Sequence, residues 1–396
     1  MNSRLSYLNY IKKELNKKLS DSTLLIRAFD DLYDNFVNAS CVGGSTVLFR
    51  NASEMMGNGL EYNYGTHGTP ISKDLCSAIN ALECSESTEL TPSGLMALTS
   101  TFLSILKPGD HALVVDSVYK PLRDFCNNIL IRSNINIDYF DPRNEFSLKT
   151  LFRSNTRLVH LESPGSNTFE ILDVKSICKY IKKRNSNCAI SMDNSWATPL
   201  IFKPLLQGVD ISIHALTKYP SGGSDIIMGS ISTNKNFSKL LSNYQKYIGI
   251  TGNDHDSYIV LKSLKSMMIR LKYHNDCVIK IYKYLNTVKC ISGILCPFNK
   301  ESPDYELWKR DYGLSNGVLS FVFENNSYET CKRFLNNLKI FGLGWSWGGY
   351  KSLASIVDIN HRLFAPKFKG KIIRLQIGFE NVNDLIWDLD MSFKKL

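Results

Sequence analysis

Short apolar runs rich in β-branched residues recur through the middle of the chain. They cover residues 111–116, 157–161, 189–193, 210–214 and 226–231, and most are separated by segments long enough for a helix. Strands that are apolar on both faces are typical of a parallel sheet covered by helices on each side. The pattern therefore predicts a large α/β domain with a mainly parallel sheet.

A helix is predicted where a polar residue precedes a long apolar segment. Ser93 stands before the apolar residues 94–106 and is predicted to cap that helix, which Pro108 and Gly109 would end. A helix N-terminus beside a glycine is suited to binding an anion. After about residue 265, longer helical segments and separate strands, such as 371–377, predict a smaller α+β domain.

Composition narrows the possible partners of the 396-residue chain. The formal net charge is +10, but the basic residues are scattered and no nucleic-acid motif accompanies them. The ten cysteines are irregularly spaced without a CxxC pair, which argues against a disulfide framework and a zinc site. No apolar stretch reaches membrane-spanning length, and residues 1–20 lack the apolar core of a signal peptide. We expect a cytoplasmic protein without nucleic-acid, membrane or metal partners, whose charge suits an anionic cofactor or substrate.

A lysine follows one of the predicted strands. Lys218 comes shortly after strand 210–214, at the start of a polar loop that contains glycine, with Thr217 beside it. An amine held at the end of an internal strand can form an imine with an aldehyde, and the neighbouring hydroxyl can bind a phosphate oxygen. Local sequence alone also allows the alternative of a surface lysine after a strand.

An acidic residue ends a second predicted strand. Asp193 closes strand 189–193, and active sites of open α/β sheets collect at such carboxyl ends. It can therefore reach the same pocket as Lys218, and an aspartate paired with the pyridine nitrogen makes pyridoxal phosphate (PLP) an electron sink. The alternative role for Asp193 is that of a helix N-cap.

A series of motifs occurs in order along nearly the whole chain. They are Tyr-Gly-Thr-His-Gly-Thr at 64–69, Pro-Ser-Gly at 92–94, Val-Tyr-Lys-Pro at 118–121, Glu-Ser-Pro-Gly at 162–165, Met-Asp-Asn-Ser-Trp at 192–196, Thr-Lys-Tyr at 217–219, Ser-Trp-Gly-Gly-Tyr at 346–350 and Ile-Arg-Leu-Gln-Ile-Gly at 373–378. Together they resemble the PLP-dependent enzymes of cysteine and methionine metabolism, the trans-sulfuration enzymes, and most closely their bacterial cystathionine β-lyase branch. The resemblance implies a type I aminotransferase-like fold, with an N-terminal arm over 1–68, a large PLP-binding domain over 69–264 and a C-terminal domain over 265–396.

The resemblance also implies how the cofactor is held. Lys218 would carry PLP as a Schiff base and move protons, Asp193 would pair with the pyridine nitrogen, and Tyr119 would stack over the ring. The residues implied for the cofactor phosphate are Gly94, Leu95 and Thr217. Judged without the resemblance, Tyr119 would be a core or rim residue.

A second group of residues is implied for the substrate. Arg374 would bind the α-carboxylate through its planar two-donor fork, with Ser346 and Trp347 lining the pocket beside it. Without the resemblance, Arg374 would be half of a strand salt bridge and Trp347 a packed loop residue. Tyr64 and Thr66 would reach the cofactor and substrate of a neighbouring subunit.

The sequence departs from the family pattern two residues after Tyr64. The family has an arginine there that crosses the subunit interface to the cofactor phosphate, often beside a second arginine, whereas this chain has Thr66 and His67. Losing a charge-assisted contact weakens phosphate binding by roughly 1.5–3 kcal/mol unless another cation replaces it. The candidates for that replacement are His67 and Arg123.

The implied reaction is α,β-elimination of L-cystathionine to homocysteine, pyruvate and ammonia. The implied assembly is a homo-oligomer, expected to be a tetramer built from two dimers with shared active sites. Two enzymatic alternatives use the same carbanion, namely amino-acid racemisation and cysteine desulfhydration. A further alternative is a non-catalytic protein of the same fold that binds nucleic acid, and the fold alone does not distinguish these functions.

Overall fold

The computed structural model describes residues 20–27, 38–41, 43–57, 62–324, 327–366 and 371–396. Much of the predicted N-terminal arm, 1–68, lies outside the described residues. The strands are β1 Ser87–Thr91, β2 His111–Val115, β3 Asn136–Phe140, β4 Thr156–Glu162, β5 Ala189–Asp193, β6 Ile211–His214, β7 Gly229–Thr233, β8 Ile291–Leu295, β9 Val318–Phe323, β10 Gly342–Leu343, β11 Leu353–Val357 and β12 Ile372–Gln376.

The α-helices account for most of the remaining regular structure. They are α1 Asp21–Arg27, α2 Ala52–Met56, α3 Pro70–Glu83, α4 Gly94–Ile105, α5 Lys120–Phe125, α6 Glu145–Leu151, α7 Val174–Arg184, α8 Thr198–Ile201, α9 Lys235–Ile248, α10 Asp254–Leu264, α11 Met267–Leu285, α12 Tyr305–Asp311, α13 Tyr328–Asn337 and α14 Val382–Phe393. No helix in the described part of the chain is both long and apolar enough to cross a lipid bilayer.

Seven of the described strands form one large sheet in the order β1-β7-β6-β5-β4-β2-β3. Strands β2 to β6 run parallel to one another, as the apolar runs predict. Side chains from these strands, such as Leu113, Val159 and Ile190, are fully buried in the main core. The prediction of a mainly parallel sheet is confirmed, because strands buried on both faces have no polar alternation.

The strand predicted over 226–231 is wrong in position and direction. The observed strand, β7, begins three residues later and runs antiparallel to both β6 and β1. A parallel return needs a crossover that runs back along the sheet, usually through a helix. The described residues 215–228 instead form a turn-rich loop that contains Lys218, so the chain comes back in the opposite direction.

A second sheet, in the order β10-β11-β12-β9-β8, lies in the C-terminal part of the described chain. Its pairs are antiparallel apart from β10 with β11. Helices α11, α13 and α14 supply residues to its own core around Phe321 and Phe334. This is the smaller α+β unit that the sequence predicts, although the exact boundary at 264/265 stays a prediction.

The topology brings several chain segments to one edge of the large sheet. Glu162 and Asp193 are paired at the carboxyl ends of β4 and β5, and Asp193 is also paired with Ile213 of β6. Carboxyl ends of parallel strands are where open α/β sheets bind their ligands. Arg374 reaches the same region from β12 of the second sheet.

Candidate active site

Lys218 lies in the loop after β6 and points toward the C-terminal unit. Its Nζ is 2.9 Å from Ser346 Oγ and 5.1 Å from the centroid of the Trp347 ring. Burial lowers the pKa of the Lys218 amine to about 8, and the charge of Arg374 acts in the same direction. Lys218 is therefore a largely enclosed amine with an unusually accessible neutral form, and the surface-lysine alternative is wrong.

The loop that brings Ser346 and Trp347 to Lys218 depends on a glycine. Gly348 has a φ of +85°, and a Cβ there would lie 3.0 Å from the Lys218 carbonyl carbon. Its N–H donates to Gln376 Oε1 at 3.1 Å, which ties the loop to β12. Only glycine combines this backbone conformation with so close an approach.

Asp193 is a half-buried carboxylate at the end of β5. Its Oδ1 accepts the Ser195 N–H at 2.9 Å. Burial raises the pKa of Asp193, while hydrogen bonds from Ser195 and the charge of Lys218 oppose that rise. The N-cap alternative is wrong, since the next helix, α8, has Ala197 at its N-cap position.

Tyr119 lies at the N-terminus of α5 and is partly exposed. Its backbone N–H donates to Glu162 Oε2 at 2.7 Å. Burial raises the pKa of the Tyr119 hydroxyl, Asp193 and Glu162 raise it further, and Arg374 lowers it. Because the charges of Asp193 and Arg374 both act on the Tyr119 hydroxyl, these three predicted site residues share one electrostatic environment.

Arg374 is held by two neutral oxygens. Its Nη1 donates to Asn167 Oδ1 at 3.0 Å and its Nη2 to the Trp345 carbonyl. Burial lowers the pKa of the guanidinium to about 10, although this leaves it charged at neutral pH. The salt-bridge alternative is wrong within the described residues, because the charge has amide and carbonyl partners instead of a carboxylate.

The N-terminus of α4 lies against the Lys218 loop. Ser93 Oγ accepts the Met96 N–H at 3.0 Å, which confirms the predicted cap. A Cβ on Gly94 would lie 2.6 Å from Ala215 Cβ, so glycine permits this close packing. Gly94 and Leu95 are at the first helical positions, where N–H groups have no partner inside the helix and can bind an anion.

The Thr217 hydroxyl already has hydrogen-bond partners on the backbone of Met228. Its hydroxyl donates to the Met228 carbonyl at 3.2 Å and accepts the Met228 N–H at 3.0 Å. Since a hydroxyl has one proton to donate, a hydrogen bond to phosphate requires that proton to change partner. The phosphate role of Thr217 stays a prediction.

The segment around Tyr64 and Thr66 is exposed on a short 3₁₀ turn. The Gly65 N–H donates to the Ser45 carbonyl at 2.8 Å, and His67 Nδ1 lies 2.7 Å from Asn63 Oδ1. These contacts are local to the N-terminal part of the described chain. The roles of Tyr64 and Thr66 in a neighbouring subunit's site stay predictions.

Arg123 cannot replace the phosphate arginine. It is buried, and its Nη2 donates to Asp116 Oδ1 at 2.5 Å and to the Asp116 carbonyl at 2.9 Å. Its guanidinium carbon also lies 3.7 Å from the centroid of the Tyr139 ring. His67 is left as the candidate that the sequence singles out.

Sequence reasoning missed two residues that support this cluster. Ser195 could have been found, because a serine two residues after an aspartate often closes a local turn. Asn167 could not, since its partner Arg374 is 207 residues away and no periodic pattern links them.

The described residues fit the chemical groups of PLP. Four groups converge on the Lys218 loop: an enclosed amine, a half-buried carboxylate, a partly exposed aromatic ring and a helix N-terminus. The complementary groups of PLP are an aldehyde, a pyridine nitrogen, an aromatic face and a phosphate. The close packing of Gly94 on Ala215 brings a helix N-terminus, which is suited to binding an anion, to the same loop as the amine.

Comparisons with known proteins agree with this geometry. The family model described as Cys/Met metabolism PLP-dependent enzyme matches residues 22–394. A putative cystathionine beta-lyase of Rhizobium johnstonii is 45% identical over 366 residues, covering 91% of this chain and 92% of that protein. An L-alanine/L-glutamate racemase of Wolbachia pipientis is 33% identical over 399 residues, covering 96% and 98%. The crystal structure of metB from Corynebacterium glutamicum has a TM-score of 0.88 at 26% identity, covering 95% of this chain and 98% of that chain. The chain therefore belongs to the PLP-dependent enzymes of cysteine and methionine metabolism.

Proposed function

We propose that this enzyme is a carbon–sulfur lyase that converts L-cystathionine and water to homocysteine, pyruvate and ammonia. The observation that carries the proposal is the convergence of Lys218, Asp193 and Arg374 at one sheet edge. The 45% identity to a putative cystathionine beta-lyase supports the choice of reaction. The substrate offers an amine for exchange with the cofactor, an acidic α-hydrogen, an α-carboxylate and a thiolate leaving group.

Several residues would hold PLP. Lys218 Nζ would attach it covalently, Asp193 would face the pyridine nitrogen, and the Tyr119 ring would stack on the cofactor. The groups proposed for its phosphate are the Gly94 and Leu95 N–H groups and the Thr217 hydroxyl. When bound, PLP withdraws electrons from the α-carbon of the amino acid and so makes its hydrogen acidic.

Lys218 is the proposed proton carrier. A pKa of about 8 leaves roughly a tenth of the amine neutral at pH 7, far more than an ordinary lysine has, and an amine must be neutral to act as a general base. Ser346 Oγ, 2.9 Å from Nζ, can keep the amine oriented after the substrate has displaced it. The Lys218 Nζ would then remove the α-proton.

Asp193 would stabilise the positive charge of a protonated pyridine nitrogen. Its burial disfavours an isolated anion, but a cation opposite the carboxylate reverses that preference. The Ser195 N–H holds one carboxylate oxygen in place, which supports a fixed geometry toward the ring.

Arg374 would bind the α-carboxylate. Its partners Asn167 and the Trp345 carbonyl are uncharged, so they orient the guanidinium without neutralising it. A planar fork can then donate two hydrogen bonds to one carboxylate. Ser346 and Trp347 would form the adjoining wall, and Tyr64 of a second subunit would complete it.

The test is a pair of assays on purified enzyme with PLP. We expect pyruvate and a free thiol in equal amounts from L-cystathionine. The second candidate is racemisation, favoured by the 33% identity to an L-alanine/L-glutamate racemase. Formation of D-alanine from L-alanine, faster than pyruvate from L-cystathionine, would replace the lyase assignment, and sulfide release from cysteine as the fastest reaction would indicate a desulfhydrase.

We also propose that the protein is a homotetramer built from two dimers with shared active sites, and that it is located in the cytoplasm. Exposed apolar side chains such as Met96, Leu103 and Ile227 support burial against further copies. Ten irregularly spaced cysteines suit a reducing compartment. Light scattering should give a mass about four times the 44.9 kDa of the chain. A single-chain mass with full activity would contradict shared sites.

A further inference from the structure

Arg362 is a buried arginine in the loop between β11 and β12. Its Nε lies 3.2 Å from Asp116 Oδ2, and its Nη1 donates to Thr168 Oγ1 at 2.6 Å. Its Nη2 donates to Glu170 Oε1 at 2.8 Å. The side chain is only 2% exposed. An arginine so enclosed, with every nitrogen bonded, holds its partners in one geometry.

The loop that carries Arg362 is itself fixed to the large sheet. Asp116, which directly follows β2, accepts the Leu363 and Phe364 N–H groups at 2.9 Å each. Asp116 also pairs with Arg123. The loop that carries Arg362 is therefore attached to the large sheet through Asp116.

The segment that Arg362 contacts, residues 163–170, has a constrained backbone. Asn167 and Phe169 have φ values of +65° and +63°, which are unfavourable for residues other than glycine. Thr168 lies between them, and its hydroxyl also donates to Glu170 Oε2 at 2.6 Å. The Arg362 contacts to Thr168 and Glu170 thus stabilise the segment at the point where the backbone is least favourable.

Asn167, in the same segment, contacts the proposed substrate site. Its Oδ1 accepts a hydrogen bond from Arg374 Nη1 at 3.0 Å, one residue away from the Arg362 contact at Thr168. We propose that Arg362 is a positioning residue, which fixes Asn167 and thereby aims the Arg374 guanidinium at the α-carboxylate. This inference rests on the substrate role proposed for Arg374.

A positioning role predicts a selective defect. A two-donor fork loses much of its advantage when it is slightly misaligned. Disturbing Arg362 should therefore weaken recognition of a carboxylate, while the amine of the ligand still reaches the cofactor. A purely structural role would instead weaken binding of every amine or lower the amount of folded holoenzyme.

The experiment titrates holoenzyme with L-alanine and with ethylamine, which has the amine but lacks the carboxylate. Binding is followed by the visible absorbance of the cofactor. In Arg362→Lys we expect the apparent Kd for L-alanine to rise about tenfold and that for ethylamine to change less than about twofold. Thr168→Val removes one Arg362 contact without altering charge and should show the same selectivity. It provides the test if Arg362→Lys fails to fold.

A double variant tests the route through Asn167. Asn167→Ala should weaken L-alanine binding by itself, and adding Arg362→Lys should have little further effect, because both changes act on one contact. Arg310→Lys is the matched control. Arg310 also joins the two units, through Asp173 at 3.1 Å, and should leave both affinities unchanged.

Three outcomes would overturn the inference. They are unchanged L-alanine binding in the folded Arg362 and Thr168 variants, equal weakening for both ligands, and additive effects of the Arg362 and Asn167 changes. A different result bears on the proposed function: wild-type enzyme that binds ethylamine as tightly as L-alanine would remove the carboxylate role of Arg374, and this inference with it.

Discussion

The Lys218 amine lies between a hydroxyl and an indole, at 2.9 Å from Ser346 Oγ and 5.1 Å from the Trp347 ring centroid. Both neighbours come from a loop about 130 positions later in the chain. Neither carries a charge that would stabilise an ammonium ion, and burial disfavours the charged form. The pKa near 8 thus results from the folded environment, which enlarges the neutral fraction that the proposed general base requires.

Lys218→Ala should abolish turnover and the visible absorbance that covalent attachment gives the cofactor. We expect at least a 10³-fold loss of kcat, since the change removes both the attachment and a proton carrier. The measurements are pyruvate formation and an absorbance spectrum. The control is Lys351→Ala, at an exposed lysine directly after the 346–350 motif, and it should keep both turnover and visible absorbance. Normal turnover in Lys218→Ala would contradict the mechanism.

Thr66→Arg should tighten cofactor retention. A guanidinium can form two charge-assisted hydrogen bonds to phosphate, where the threonine hydroxyl forms one weaker bond. The gain should approach about tenfold in affinity, equivalent to about 1.4 kcal/mol. The burial of Arg123 against Asp116 strengthens this expectation, because that arginine cannot serve the same phosphate.

Cofactor loss during dialysis of the wild-type and Thr66→Arg enzymes is the measurement. Thr287→Arg, at another exposed threonine, adds the same charge elsewhere and should retain cofactor like the wild type. Equal or faster loss from Thr66→Arg would mean that the phosphate site is already complete, with His67 as the cation in place.

Helix α3 ends in an unusual residue for a buried position. Glu83 is fully buried at the helix C-terminus, and its Oε1 accepts a hydrogen bond from Ser212 at 3.1 Å. Burial raises the pKa of Glu83 to about 7, although Ser212 and Lys203 oppose the rise. The negative end of the helix dipole also disfavours a carboxylate there.

Glu83→Gln should stabilise the protein at pH 8 and have little effect at pH 5. The folded state retains a proton that the unfolded chain releases between about pH 4.5 and 7, so wild-type stability falls as pH rises through that interval. The penalty above pH 7 is at most on the order of 3 kcal/mol, and glutamine avoids it while still accepting from Ser212.

Thermal unfolding at both pH values measures this effect as a rise in Tm. The control Glu86→Gln removes an exposed carboxylate three residues later and should leave Tm nearly unchanged at both. A variant Glu83→Gln that is destabilised equally at pH 5 and pH 8 would mean that packing, and not charge, determines the role of Glu83.

At the scale of the whole molecule, ion pairs join the two sheets and their helices. Arg143, in the loop before α6, donates to Asp304 Oδ2 from Nε at 3.1 Å and from Nη2 at 3.0 Å. Asp304 directly precedes α12 and is almost fully buried. Burial raises the pKa of Asp304, and Arg143 is the main influence that lowers it.

Arg143→Met should destabilise the protein more at pH 8 than at pH 5. Without Arg143 the pKa of Asp304 rises further, so at low pH a proton neutralises the buried carboxylate, while at high pH it is left charged and unpaired. The loss at pH 8 should be about 1–3 kcal/mol, less than for a fully buried pair because the Arg143 side chain is 38% exposed.

Urea unfolding at the two pH values gives the free energies of unfolding. Lys149→Met, which breaks an exposed pair with Glu145, is the control and should cost less than about 0.5 kcal/mol at either pH. A loss in Arg143→Met that is independent of pH would contradict the pairing with Asp304.

The sequence by itself determined the local elements and the general position of the site. Ser93 is recognisable as a cap because its hydroxyl acts within one helical turn, and the parallel strands are recognisable because burial on both faces removes polar alternation. Asp193 and Lys218 then follow strand ends, and strand ends of a parallel sheet meet at one edge. The resemblance to a known family added the implied roles of these residues.

Only the tertiary structure decided which distant groups meet. The direction of β7, the burial of Arg123 with Asp116, and the contact of Arg374 with Asn167 each depend on the path of the chain between residues far apart in sequence. Local periodicity records which face of an element is buried but not which partner it faces. The altered pKa values of Lys218 and Asp193 depend on those partners and on burial, so they exist only in the folded molecule.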